Sequence, residues 1–442
     1  CGDVISPVAL TELQQIGVTG SPEFAATNEI SKAGLYFTGQ KIAEIELPKG
    51  DDMPFYTRVI PRLEIDHWIY EAARKAGAVF LENAQLTHYT RYAHCVSATI
   101  KQGGESKRLK AKMIVGADGS SSTVARIFNG SKPADTDRLL ALRAYYEDIN
   151  GPADSCDIHF TGDNFPGIYW IFPTGPTTAN VGLGMVAKTL PDQQSHIQAL
   201  LTNQIRQNKP LAERIGKGRI KGKIQGWPLT MYRPEKAITG DRLLLIGDAA
   251  GLINSLSGDG IQYALLSGRW AAECLAECVD KNDFSAAALL RYKTKVDQEL
   301  GYDFALSNLL VQIARNRTLN PAWMRILLVL MERARVDPGY ATILGGIFGG
   351  THPSYKALQP DFILKTILQG GIHVGMRTAS GVFGGPDQWK QIGKGAGQLA
   401  QGIVRNIREQ PVDYAGWAGE VARQGWKVSG HILKDLLDRS KR

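Results

Sequence analysis

Two aspartates, each set among glycines behind a short apolar run, are the residues of this chain whose types and spacing best suit cofactor chemistry. One lies in "GADGSSSTVAR", residues 116–126, and the other in "GDAAGLINSLSGDGI", residues 247–261. Asp248 directly follows the apolar run Leu243–Ile246, so its carboxylate faces whatever lies across a sheet edge, such as ribityl or ribose hydroxyls. Gly247 makes the turn, and Gly258 and Gly260 then free the backbone at the start of a helix beginning near Ile261. Unpaired N–H groups and the positive end of the helix dipole converge there. A flavin, whose reduced N1–C2=O edge carries negative charge, is stabilised by such fixed donors without reorganisation. Each contact of this kind contributes on the order of 1 kcal/mol. Taken singly, the loop is equally any anion site. In the first stretch Gly116 and Gly119 let the chain turn after a strand, Asp118 sits at the turn, and Ser122 is placed to cap the next helix. An ordinary strand-to-helix turn would use the same residues.

The elements that must hold these loops are legible in outline. Leu243–Ile246 is a short buried strand, and apolar positions take helical spacing from Ile261 to about Val279. Lys112–Val115 is a second buried strand entering the first loop. Strand, glycine-rich loop and helix in that order place a loop at the carboxyl edge of a sheet in an α/β protein. Ile30–Leu47 alternates as strands do, and Leu63–Ala78 carries a helical pattern that Asp66 is placed to cap. "AVFLENAQLTHYT" and "HCVSATI" are expected as strands of a second sheet. Leu139–Lys188 is strand-rich, with a hairpin turning at Thr174–Thr178. Gln193–Ile215 and most of the chain after about residue 281 are helical in pattern. From about Trp389, basic and apolar residues alternate at helical spacing; this tail suits packing on the domain, with a membrane-surface role as the alternative.

Composition narrows the class. With 442 residues and 43% apolar content, two or three domains with a substantial core are expected. There is no apolar run near 18 residues and no basic-then-apolar leader pattern. Five cysteines without regular spacing argue for a reducing compartment, with cytoplasm the default. The net charge of +8 suits an anionic cofactor or an anionic membrane face; the basic residues do not interleave with aromatics as in a nucleic-acid module. None of the eight histidines has metal-ligand spacing. Cys274 and Cys278, one helical turn apart, are expected to pack rather than to form a disulfide. The chain opens with "CGDVISPVAL", lacking an initiator methionine and a preceding strand, which suggests an N-terminal truncation.

Together the two loops, about 130 residues apart and in this order, resemble the second and third fingerprints of FAD-dependent hydroxylase-type flavoproteins. "GDAAGLINSLSGDGI", "CGDVISP", and "YWIFP" followed by "ANVGLG" are similar to the geranylgeranyl reductase branch, over roughly residues 1–350. The resemblance implies an α/β fold in which an FAD-binding Rossmann-like domain is interleaved with a mixed, largely antiparallel substrate domain, followed by a helical C-terminal region. The boundaries expected are 1–29, 58–135 and 225–300 for FAD, 30–57 and 136–224 for substrate, and 301–442 for the helical region. It also implies reduction of carbon–carbon double bonds in isoprenoid chains. Position by position, Asp248 falls on the ribityl chain, Gly260 and Ile261 at the isoalloxazine edge, and Cys1 and Gly2 beside the flavin. Arg62 matches an arginine contacting the cofactor, Leu86 lies where backbone atoms approach the adenine, and Asp118 and Arg126 match the middle fingerprint.

Substrate contact falls to Tyr169, Trp170 and Phe172, with Trp170 and Phe172 on one strand face and Tyr169 on the other. They form either an aromatic wall for a lipid chain or plain core. Cys1, Tyr169 and Trp170 are the candidates for catalytic contact; the Cys1 thiol either protonates the carbon left by hydride transfer or merely packs. The chain departs from the family pattern at several points, among them a tail beyond about residue 385 that exceeds what the family usually carries. Ser255 and Asp259 stand where the family usually has proline and glutamate, and Ile168 fills the tyrosine slot of the aromatic motif. The GxGxxG turn that cradles the FAD pyrophosphate is missing, and "GKGAGQ" at Gly393 does not follow a strand. Ordinary FAD binding is expected if about 40 upstream residues complete a strand-helix-strand unit, and weak binding otherwise. The reading is an FAD oxidoreductase acting on an isoprenoid or other apolar substrate, with NAD(P)H or a ferredoxin-like protein as electron donor. An FAD monooxygenase or halogenase on the same scaffold, and a non-catalytic lipid- or protein-binding module, are the alternatives.

Overall fold

A computed structural model describes residues 2–47, 56–192, 196–369 and 401–440. Cys1 and Gly393 lie outside the described residues. The strands that launch the two loops are parallel neighbours: Leu243 lies opposite Ile114 and Leu245 opposite Gly116, with Thr239–Gly240 pairing on the far side. All three residues of Leu243–Leu245 are buried, which explains the wholly apolar run. Helices Ile261–Asp280 and Ala286–Ala314 cover this small sheet, and Tyr232, Trp270, Leu289, Tyr292 and Phe304 complete the core with them. Cys274 and Cys278 are buried there as free thiols.

A seven-stranded sheet forms the second layer. Its spatial order is Arg219–Thr230, Arg138–Glu147, Thr178–Val186, Gly167–Gly175, Ser155–Phe160, Lys32–Phe37 and Gln40–Glu46. Every pairing is antiparallel except Ser155–Phe160 with Lys32–Phe37, so two distant segments meet through one parallel contact. The expected hairpin is present, with Gly175 opposite Thr178. Two further three-stranded sheets join Val4–Ile5, Thr57–Val59 and Asn28–Ile30, and Ala84–Arg91, Val96–Gln102 and Glu105–Ala111.

Some local expectations differ from what forms. Helix Arg62–Lys75 starts behind Pro61 with no side-chain cap; Asp66 instead takes the Arg62 Nε hydrogen bond at 2.8 Å, one turn away on the same face. Residues 78–83 form no strand, which begins only at Ala84. The boundary placed at 224/225 falls within strand Arg219–Thr230, and that at 300/301 within helix Ala286–Ala314.

Helix Pro411–Ser440 packs along Ala286–Ala314, burying Tyr414 and Val428. Trp417 Nε1 donates to the Gln312 carbonyl at 2.7 Å, and buried Arg233 is shared between Asp137 and Glu420. The basic residues Arg423 and Lys427 of this helix both pair with Glu235. Among the described residues no helix is long and apolar enough to cross a membrane.

Candidate active site

Because their strands are parallel neighbours, the two glycine-rich loops leave the sheet at one edge, and a hydrogen bond joins them: Ser120 Oγ donates to Asp248 Oδ2 at 2.9 Å. Asp118 turns both oxygens inward. It accepts from the Ser122 hydroxyl and from the N–H groups of Thr123 (2.7 Å) and Val124 (3.2 Å), while Ser122 Oγ caps the helix through Ala125 N–H at 2.8 Å. Arg126 points to a polar cavity of about 290 Å³ that Asp248 and Ser120 also line. Burial raises the Asp248 carboxyl above its ordinary value, against the opposing Ser120 hydrogen bond and Arg62 charge. Gly247, at φ 53°, makes the turn, its N–H donating to Ser267 Oγ at 3.0 Å.

At the start of helix Ile261–Asp280, Gly258 takes φ 73°, a conformation costly for other residues. A Cβ on Gly260 would sit 3.2 Å from Asp248 Oδ1, so the helix start and this carboxylate are in contact. Ile261, the first helical residue, packs with the cluster around Leu10 and Leu13. The N–H groups here are not bare, as the sequence suggested. Asp259 faces those of Ile261, Gly260 and Gln262, which favour its charged form, yet burial outweighs them and pushes the carboxyl up to about 7.

The opening segment closes the site from the other side. A Cβ on Gly2 would fall 2.7 Å from the Phe172 ring, so glycine alone lets the chain lie against that wall. Asp3 is fully buried in a left-handed conformation, φ 61°, and its Oδ2 accepts from Tyr145 Oη at 2.5 Å and Asn180 Nδ2 at 2.9 Å. Asn180 Oδ1 in turn accepts from Trp170 Nε1 at 2.9 Å. Trp170 and Phe172 stack at 5.8 Å and 18°. Asp3, Tyr145 and Asn180 were not among the residues expected from sequence. A lone asparagine inside the apolar strand "TANVGLGMV" is the one signal that marked Asn180. Burial works to lower the Arg62 pKa, but the Asp66 hydrogen bond and charge, with smaller contributions from the charges of Asp3 and Asp248, raise it; those last two bring Arg62 into this group.

Trp170, Phe172, Gly2 and Gly258 line a cavity of about 500 Å³. It runs between one face of the seven-stranded sheet and the helices Ala286–Ala314, Asn320–Val336 and Pro338–Phe348, reaching Ile363 and Ile367. Tyr169 lies on the opposite sheet face, fully buried, its hydroxyl donating to Asp163 Oδ2 at 3.4 Å. Leu86, on strand Ala84–Arg91, packs against the core of the small sheet that launches the two loops and lines neither cavity. Gly2, Arg62, Asp248, Gly258, Gly260, Trp170 and Phe172 are thus brought together; Asp118 and Arg126 adjoin them through Ser120 and the polar cavity.

Such a cradle suits FAD. Side-chain-free backbone at Gly2 and Gly258 admits a planar ring, and the half-buried Asp248 carboxylate beside a polar cavity suits the ribityl and phosphate part.

Comparison with known proteins agrees. The family model described as FAD binding domain matches residues 2–297. Digeranylgeranylglycerophospholipid reductase 2 of Methanopyrus kandleri is 30% identical over 300 residues, covering 66% of this chain and 72% of that one. Menaquinone reductase of Mycolicibacterium smegmatis is 28% identical, covering 62% and 66%. Among solved structures, a geranylgeranyl bacteriochlorophyll reductase-like protein of Thermoplasma acidophilum superposes with TM-score 0.59 at 22% identity, covering 86% of this chain and 88% of its own.

Proposed function

Because this chain belongs to the FAD binding domain family, and within it to the FAD-dependent oxidoreductases of geranylgeranyl reductase type, we propose that it reduces carbon–carbon double bonds of an isoprenoid chain. FAD is its cofactor and supplies the hydride at such a site. The observation that carries the reading is the long apolar cavity, walled by Trp170 and Phe172, that Gly2 and Gly258 also line. Relatives named for digeranylgeranylglycerophospholipid and menaquinone support a substrate with a prenyl chain.

In this reading residues 30–57 and 136–224 belong to the substrate domain and the segments around them hold the cofactor. Asp248 accepts hydrogen bonds from the ribityl chain and Arg62 sets the charge beside it. Gly260 and Ile261 meet the isoalloxazine edge, while Asp118 and Arg126 fix and line the phosphate side. Leu86 is assigned to the adenine end and Cys1 to the loop beside the ring. Trp170 and Phe172 hold the alkene out of water, which both orients it and strengthens electrostatics at the reacting carbons.

The test is an anaerobic incubation of the FAD-reconstituted protein, reduced with dithionite, with prenylated lipids. A product heavier by two hydrogens per double bond is expected. Conversion only in air, with oxygen atoms in the product, would replace this reading by the monooxygenase one.

A further inference from the structure

We infer that Ser255 is a specificity-determining residue that donates a hydrogen bond to a carbonyl oxygen of the substrate, and hence that the substrate is a prenylated compound with an uncharged, quinone-type head group. The inference rests on the reduction reading above. Six described residues lining the apolar cavity carry a side-chain nitrogen or oxygen: Trp170, Ser255, Ser257, Trp323, Ser354 and Thr366. Trp323, on helix Asn320–Val336, is half-buried, and four of the others have partners. Trp170 donates to Asn180, Ser257 Oγ accepts from Asp259 N–H at 3.3 Å, Ser354 is bound to Asp303, and Thr366 bonds Phe362 O at 2.8 Å and Tyr340 Oη at 2.7 Å. Ser255 Oγ is buried and has no partner among the described residues, with the residue only 6% exposed.

A buried hydroxyl without a partner is costly, and hydrocarbon cannot relieve it. Nor is Ser255 free to turn into solvent, because its loop is clamped. Asn254 Oδ1 accepts from Leu256 N–H at 2.9 Å and Ser257 N–H at 3.2 Å, and Asn254 Nδ2 donates to Asp303 Oδ2 at 2.9 Å. Asp303 is itself held by the Ser354 N–H at 2.5 Å. The chain therefore fixes one donor at the end of the cavity where Gly2 and Gly258 lie.

The rest of the lining narrows the acceptor. Among the described residues it includes no charged one, so a phosphate head group finds no counter-ion among them. A flat, uncharged ring bearing carbonyl oxygens, by contrast, needs no counter-ion and offers an acceptor for Ser255. The head group then lies at Ser255, and the first prenyl units cross the Trp170–Phe172 wall on the way towards Ile363 and Ile367.

The experiment compares dissociation constants of the FAD-loaded full chain, from quenching of flavin fluorescence, for two probes. One is a menaquinone with a four-unit prenyl chain and the other a prenyl hydrocarbon of the same length. Ser255→Ala is expected to weaken the quinone about tenfold, as loss of one hydrogen bond does, and to leave the hydrocarbon within about twofold. Ser255→Thr, which keeps the hydroxyl, is expected to restore the quinone, and the visible flavin band stays unchanged in both variants. Equal weakening of both probes would overturn the inference, as would a shifted flavin band with altered FAD affinity, which would assign the hydroxyl to the cofactor. A wild-type chain that binds neither probe would overturn the proposed function and the inference with it; one that reduces the hydrocarbon but ignores Ser255→Ala with the quinone overturns the inference alone.

Discussion

Single atoms decide most of what this site can hold. A methyl group on Gly2 would meet Phe172 at 2.7 Å, and that ring is backed by Trp170 at 5.8 Å, so it has little room to withdraw. Gly2→Ala is therefore expected to displace the opening segment from this wall and lower FAD affinity at least about tenfold. Flavin retention on gel filtration and a fluorescence titration check it. Asp259 gives a pH signature. Its folded pKa, about 7, lies above the ordinary 3.8, so the stability tied to its protonated form is intact below about pH 4 and is lost as pH rises through about 7. Asp259→Asn is expected to raise the melting temperature of the apoprotein at pH 8 and leave it unchanged at pH 4; an equal effect at both would show that the carboxyl ionises normally.

At the scale of elements, the seven-stranded sheet depends on charges on the face away from the cavity. Arg214, in the short helix Lys209–Ile215, meets Asp157 at 3.2 Å with both side chains buried, and also binds the carbonyls of Asn150 and Pro152. Burial pushes Asp157 up to about 6 in spite of this partner. Replacing Arg214 by Met leaves Asp157 buried without its counter-ion, at a cost of about 3–5 kcal/mol. A urea midpoint unchanged in Arg214→Met would contradict this. Strands such as Arg138–Glu147 and Gln40–Glu46 were visible in sequence because their buried and more exposed positions alternate. The capping of Arg62–Lys75 was not: Asp66 has the right residue type but lies inside the helix, where Arg62 one turn away competes for it.

For the whole molecule, the terminal helix is part of the core rather than a free tail. Arg233, 7% exposed, divides its charge between Asp137 of the sheet region and Glu420 of this helix. Glu420→Ala is expected to cost about 1–3 kcal/mol, less than loss of an only partner because Asp137 remains. A double-mutant cycle with Arg233→Met, read by thermal melting, should return a coupling of the same sign. An additive result would mean that Arg233 does not hold the helix through Glu420, leaving Tyr414, Trp417, Val428 and the Glu235 pairs to do so.

The sequence by itself determined the loops, the strands that launch them, the helix behind Gly260 and the kinship that names FAD, because each rests on local backbone needs: glycine where φ is positive, a buried strand before it, a periodic helix after it. Tertiary structure decided which side chains meet. Asp3, Tyr145 and Asn180 converge from three distant segments onto Trp170, and Asn254, Asp303 and Ser354 fold together beside Ser255, which has no partner among the described residues. Such contacts join residues up to 177 positions apart, and no spacing along the chain encodes them; packing of the sheet against the helices does.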